Sequence, residues 1–205
     1  TKPGTYAIDV TTAATRADVT GSVSLGASTT IDANNDALTV KIDGIESGAI
    51  ALDAGSYSQT QLAAELQSKI NADSALTAAG KSVTVTVDAS NQLVINSSLY
   101  GSSSKVEITA VDTNSTTQLG LSVGVGVDGV DVVGTINGVL ATGAGQLLTA
   151  ATGDDSDGIR VTVDGLATGS RGTVTYIEGV GEQLVDSISR FLTVDGTITA
   201  KNDRL

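Results

Sequence analysis

Apolar residues in this chain recur at every second position in short runs closed by Gly, Asp or Asn, the rhythm of strands with one buried face. Tyr6, Ile8 and Val10 form the first run after Lys2-Pro3-Gly4. Leu38, Val40 and Ile42 form another, entered by Asn34-Asn35-Asp36 and closed by Asp43-Gly44. Asp-Gly accepts the positive φ angles of a two-residue hairpin turn, so Ile50 and Leu52 are expected on the returning strand. Val83, Val85 and Val87, then Leu93, Val94 and Ile95, read as two strands joined through Asp88 to Asn91, and Val106 with Ile108 adds one more. From Thr11 to Gly21 the alternation is lost.

Two segments change period. Ser58 to Gln61 has the Ser-x-x-Gln spacing of a capping box, and Leu62, Ala63, Leu66 and Ile70 follow at helical intervals. This spacing predicts an amphipathic helix over 59–73 whose aliphatic stripe covers a sheet. Leu184, Val185, Ile188, Phe191 and Leu192 mark a second such helix, with a turn at Asp195-Gly196 beyond it.

At 205 residues the length suits two small domains. Residues 25–125 read as a ββαβββ module. A glycine-rich passage, Gly120 to Gly129, reads as a flexible connection to Thr135-Ile136-Asn137-Gly138, a loop around Gly143 to Gly145, and a hairpin of Ile159, Val161 and Val163 with Val174 and Tyr176. The first strand has no nearby partner and would complete this second sheet. The expected fold is therefore α+β and predominantly β: two compact modules with antiparallel sheets, each with one covering amphipathic helix. Residues 1–24 plus 126–205 form a discontinuous β-rich domain into which 25–125 is inserted.

The five aromatics, Tyr6, Tyr57, Tyr100, Tyr176 and Phe191, leave an aliphatic core, while 24 glycines supply turns. A net charge of −12 without any Lys/Arg cluster disfavours nucleic acid and anionic membrane surfaces as partners. Cysteine is absent, so disulfides and thiolate ligands are excluded. Histidine is absent too, which removes the commonest general base and metal ligand together. The lack of an initiator methionine and the polar stretch Lys201 to Leu205 suggest both ends are cut from a longer chain.

The remaining constellations read as structure. Asp154, Asp155 and Asp157 are the densest acids, yet no neighbouring aromatic offers a sugar platform for a carboxylate pair to work on. Set against a calcium loop, Asp155, Asp157 and Gly158 occupy the third, fifth and sixth positions but Gly153 stands where the first ligand belongs. An acidic turn before a strand is the better reading. Gly124-x-Gly126-x-x-Gly129 matches the dinucleotide pattern, but Val130 to Val133 is β-branched and begins no helix to hold a phosphate. Gly179-Val180-Gly181 is turn chemistry. No residue is expected to be catalytic, to bind a cofactor or to ligate a metal.

Several ordered segments also carry a resemblance. Thr39 to Gly44, Gly55-Ser56-Tyr57, Leu62 to Gln67, Ile70-Asn71, Gln92 to Ser97 and Tyr100 to Ser103 resemble the flagellin hook "IN" motif. Val130 to Gly138, Ala141 to Leu148, Gly158 to Val161, Arg171 to Val174 and Gly196 to Lys201 resemble the flagellar filament-cap family, also called hook-associated protein 2. The resemblance implies head domains of an exported, extracellular structural protein, reaching the distal filament tip without a cleavable signal peptide. There the full-length protein would self-associate into a ring and help flagellin subunits insert and fold. It also implies an export chaperone for C-terminal parts beyond this chain, and carries over no catalytic residue. An adhesion module binding host mucin or other glycans, or the outer variable domain of a flagellin, are the other readings.

Overall fold

The computed structural model describes residues 1–192. The first alternating run becomes β1 (Gly4–Thr12), with Tyr6, Ile8 and Val10 buried between exposed neighbours. It is followed by β2 (Arg16–Thr20), β3 (Thr29–Ile31), β4 (Ala37–Ile42), β5 (Ile45–Glu46), β6 (Ile50–Ala51) and β7 (Gly55–Tyr57). Then come α1 (Gln59–Asn71), α2 (Ser74–Ala78), β8 (Val83–Val87), β9 (Leu93–Tyr100), β10 (Val106–Val111), α3 (Ser115–Gln118) and β11 (Gly124–Val125). The rest of the described chain is β12 (Val133–Ile136), β13 (Val139–Leu140), β14 (Thr142–Ala144), β15 (Leu147–Thr149), β16 (Arg160–Thr162), β17 (Gly169–Tyr176) and α4 (Val180–Leu192). The fold is α+β and predominantly β, with antiparallel pairing in every ladder described here.

Two mainly aliphatic cores form among the described residues. The larger gathers residues from Ala17 to Leu121, including Val40, Leu66, Ile70, Leu93, Ile95 and Ile108. The smaller joins Tyr6, Ile8, Val10 and Ala14 to Val132, Ile136, Leu148 and Val163. Around the smaller core, β1 lies between β12 and β17 in the order β13-β12-β1-β17, with Ile8 opposite Ile136 on one side and Gly172 on the other. The unpartnered first strand does complete the distant sheet.

The helix over the larger core follows its sequence signals. Ser58 caps α1, accepting from the Gln61 amide while the Gln61 side chain accepts from the Ser58 amide at 2.9 Å. The helix stops at Asn71, two residues before the expected end, because Asp73 caps a new turn, accepting from the Ala75 and Leu76 amides at 3.0 Å each. Asn71 has a second task. Its side chain accepts from the Val83 amide at 2.8 Å and donates to the Val83 carbonyl at 2.9 Å, while Gln67 accepts from the Val85 amide at 2.9 Å. An edge strand exposes a row of unpaired backbone groups. Here two side chains of α1 close the outer edge of β8, so Ile70 buries the helix and Asn71 ties it down.

Several expectations need correction. The 11–21 segment contains β2, which pairs with β9 through Val19 and Ile95. Within β2 only Ala17 is buried, and one small residue leaves no apolar rhythm to read. The returning strand after Asp43 (φ 49°) and Gly44 (φ 88°) is split into β5 and β6. Ser47 fills the break: its amide donates to the Val40 carbonyl at 2.8 Å and its hydroxyl accepts from the Val40 amide at 3.0 Å. The 25–125 stretch thus carries short strands and two short helices beyond the simple ββαβββ order.

The expected hairpin of 159–163 with 174–176 is not formed. Instead β16 pairs with β15, Val161 opposite Leu148, and β17 pairs with β1. The register slips one residue at Arg171, between Gly172 and Ser170, a bulge that frees the side chain from the ladder. Arg171 turns back to donate to the Ala167 carbonyl at 2.8 Å and the Asp164 carbonyl at 2.5 Å, holding the loop that separates the two strands. The second helix also departs from expectation. Leu184, Val185, Ile188, Phe191 and Leu192 of α4 are exposed, so its stripe covers no sheet among the described residues. Asp195-Gly196 and the Gly196 to Lys201 motif lie outside the described residues.

Leu66→Ala, which opens a cavity in the larger core, should cost about 2–5 kcal/mol. Asn71→Ala, which strands two backbone groups of β8, should cost about 1–3 kcal/mol. Urea unfolding followed by circular dichroism reads both, and an unchanged midpoint for Asn71→Ala would show that the β8 edge is satisfied in some other way.

Candidate functional site

The glycine-rich passage is the region where sequence reading and structure differ most. Expected to be a flexible connection, it is instead paired on both sides. Gly124 lies opposite Ile108 and Val125 opposite Glu107 at the edge of the sheet containing β10 and β4, and the Gly126 amide donates to the Val106 carbonyl at 2.8 Å. Val127 then exchanges both backbone hydrogen bonds with Asp18 of β2, at 2.8 and 3.0 Å. The glycines permit this closeness. A Cβ on Gly126 would stand 2.1 Å from the Asp18 carbonyl oxygen, and one on Gly129 would stand 2.4 Å from that of Gly101. The spacing that matches a dinucleotide loop therefore serves backbone-to-backbone contact, with no helix following it.

The acidic turn consumes its own carboxylates. Asp154 accepts from the Ser156 hydroxyl at 2.6 Å and the Ser156 amide at 2.9 Å, contacts that hold its carboxyl below the usual range, hydroxyl first. Asp157 accepts from the Gly153 amide at 2.9 Å, and Asp155 pairs with Lys2 at 2.5 Å. The Tyr6 hydroxyl donates to the Lys2 and Asp155 carbonyls at 2.6 and 2.8 Å, fastening the turn to β1. Burial, then the nearby acids, raises the pKa of that phenol. Among the described residues, no three His, Cys, Asp or Glu side chains gather as a metal set. No helix described is long and apolar enough to cross a membrane.

A different acid occupies the point where the two cores meet. Asp131 accepts from the Ser102 hydroxyl at 2.6 Å, the Ser102 amide at 3.1 Å and the Gly145 amide at 2.7 Å. The Ser102 hydroxyl, then the Gly145 amide, lowers its pKa against a smaller opposing effect of burial. Its partners lie 29 and 14 residues away in sequence, so no local spacing could have marked it. Among the described residues several large apolar side chains remain exposed, and two groups of them stand out. One is the α4 stripe, and the other is the face of the passage bearing Val123, Val125 and Val127, which are 62%, 79% and 68% exposed. These surfaces suit contact with other protein.

No family model and no curated protein matches the chain. Solved structures do. The crystal structure of the flagellar cap protein FliD D2-D3 domains from Escherichia coli is 19% identical and matches at a TM-score of 0.52, covering 87% of this chain and 91% of that one. FliD from Pseudomonas aeruginosa is 20% identical over 93% of this chain and 88% of that one, at 0.49. FliD from Bdellovibrio bacteriovorus is 13% identical over 86% and 94%, at 0.48. The Escherichia coli likeness establishes a shared fold across both cores.

Two measurements probe this region. Gly126→Ala should lower thermal stability, since its new methyl must displace the β2 backbone, whereas Gly179→Ala adds a methyl in open space and away from positive φ. Equal effects would contradict the close approach. Asp131 titrates lower in the folded chain than in the unfolded one. Its contribution is therefore complete above the unfolded value of about 3.9 and lost as pH falls through the folded value. Wild type should be more stable than Asp131→Asn at pH 7, and urea midpoints should show the gap closing below about pH 4. A gap independent of pH would show that the charge contributes nothing.

Proposed function

We propose that this chain is the head portion of a bacterial flagellar filament cap, a non-catalytic structural piece that sits outside the cell at the distal filament tip. The observation that carries this reading is the fold shared with the Escherichia coli cap domains over 87% of the chain, spanning both cores. The ordered segments resembling the "IN" motif and the filament-cap family support it, and so does a core built without thiols. A cysteine-free aliphatic chain can be unfolded for export and refold outside with no disulfide to rearrange.

In this reading residues 25–125 form the outer inserted module and residues 1–24 plus 126–205 the module nearer the filament, with β2 transferred to the insert because it pairs there. The full-length protein self-associates as a ring, and flagellin subunits insert and fold beneath it. The exposed valines of the passage and the α4 stripe supply apolar surface for those contacts. A symmetric closed assembly would bury such patches once per subunit.

Deleting the gene that encodes this chain tests the proposal. Cells should shed unpolymerised flagellin into the medium and lose swimming, with recovery on complementation by the full-length gene. Full-length filaments and normal swimming in the deletion strain would refute it. Filaments missing altogether, with no flagellin outside the cell, would point instead to the outer domain of a flagellin.

A further inference from the structure

Two chain crossings connect the cores, one at Thr12 to Arg16 and the other at Val127 to Val133, and they run side by side. The Thr15 amide donates to the Val130 carbonyl at 2.9 Å, and the Val130 amide returns to the Thr15 hydroxyl at 3.0 Å. Thr15 also accepts from the Gly101 amide at 2.9 Å, so the end of β9 is held against both crossings. A connection of two paired strands resists bending and twisting far more than one free strand, because each rotation must break a backbone hydrogen bond.

Side chains add to this. Tyr100 ends β9 in the sheet of the larger core, yet its ring packs against the smaller one. Arg16, its cross-strand partner, places its guanidinium carbon 4.5 Å from the ring centre, a cation–π contact that keeps the ring in place. Behind Tyr100, Gly101 (φ 95°) lies so near Gly145 that a Cβ on it would stand 2.6 Å from the Gly145 Cα and 2.2 Å from an Asp131 carboxylate oxygen. Three segments thus converge on one carboxylate: 100–104 from the larger unit, the second crossing, and the turn between β14 and β15 of the smaller unit.

We propose that the two units turn as one rigid arm, with the Asp131 carboxylate as the clasp that fastens the Ser102 loop of one to the Gly145 turn of the other. The clasp is separate from both cores. Asp131 belongs to neither apolar core, so its removal loosens the joint and leaves each unit folded. This inference rests on the joint geometry alone and stands whether or not the chain caps a filament.

The absence of cysteine permits a direct test, since Thr86→Cys on β8 and Thr173→Cys on β17 introduce spin labels only at these exposed positions. Pulsed electron resonance on the doubly labelled chain should give one narrow distance distribution. Adding Asp131→Ala should broaden it while circular dichroism stays that of wild type. Ser102→Ala, which removes only the hydroxyl contact, should broaden it less and guards against a variant that fails to fold. In parallel, hydrogen exchange in Asp131→Ala should speed up most at the Ser102 and Gly145 amides and far less at Leu66 and Ile95. A broad distribution in the parent chain overturns the rigid arm. A narrow one retained by both variants overturns the clasp.

Discussion

The pairing of β1 between β12 and β17 is the interaction on which the rest depends. Its partners begin at Val133 and Gly169, so the smaller core closes only after more than a hundred intervening residues have returned to their starting point. The loop entropy of that return grows slowly with length, and it falls further if the intervening residues fold first with their two ends side by side. They do so here. The bridge from Asp18 to Val127 and the contact from Thr15 to Val130 bring the ends of the inserted unit together, which delivers β12 to β1 already in register.

This constraint explains why the glycines at and just before the second crossing cannot be spacers. Gly126 and Gly129 sit where backbone must touch backbone, and their lack of a side chain is what lets the crossing pair with β2 and with the Gly101 loop. Asp131 follows immediately and collects donors from both units. A carboxylate with three hydrogen bonds, two from amides and one from a hydroxyl, is a fastening between backbone segments.

The sequence made local chemistry plain and long-range pairing obscure. The capping box at Ser58, the positive-φ turn at Asp43-Gly44 and the buried faces of β1, β4 and β8 follow from spacing alone, because each depends on residues within one turn or one strand. The isolation of Tyr6 to Val10 even indicated its distant partner. By contrast β2 was hidden because a single alanine carries its burial, and β16 was given the wrong partner because alternation shows a strand's face and never its neighbour. Glycine-rich composition looks the same whether a segment is loose or tightly packed. The Asp131 contact joins residues with no common motif, so only the folded chain reveals it. The Ile70-Asn71 pair was legible as a segment, but the role of Asn71 as a clamp on the β8 edge was not, since its partner Val83 lies on another element.

The reading of this chain as the head portion of a filament cap is a proposal carried by its shared fold. Electron cryomicroscopy of filaments from the bacterium that makes this protein tests that account most directly. The account predicts density for both units, in the relative placement described here, confined to the distal end of each filament. Density of this shape repeating along the filament, or absent from its end, would contradict it.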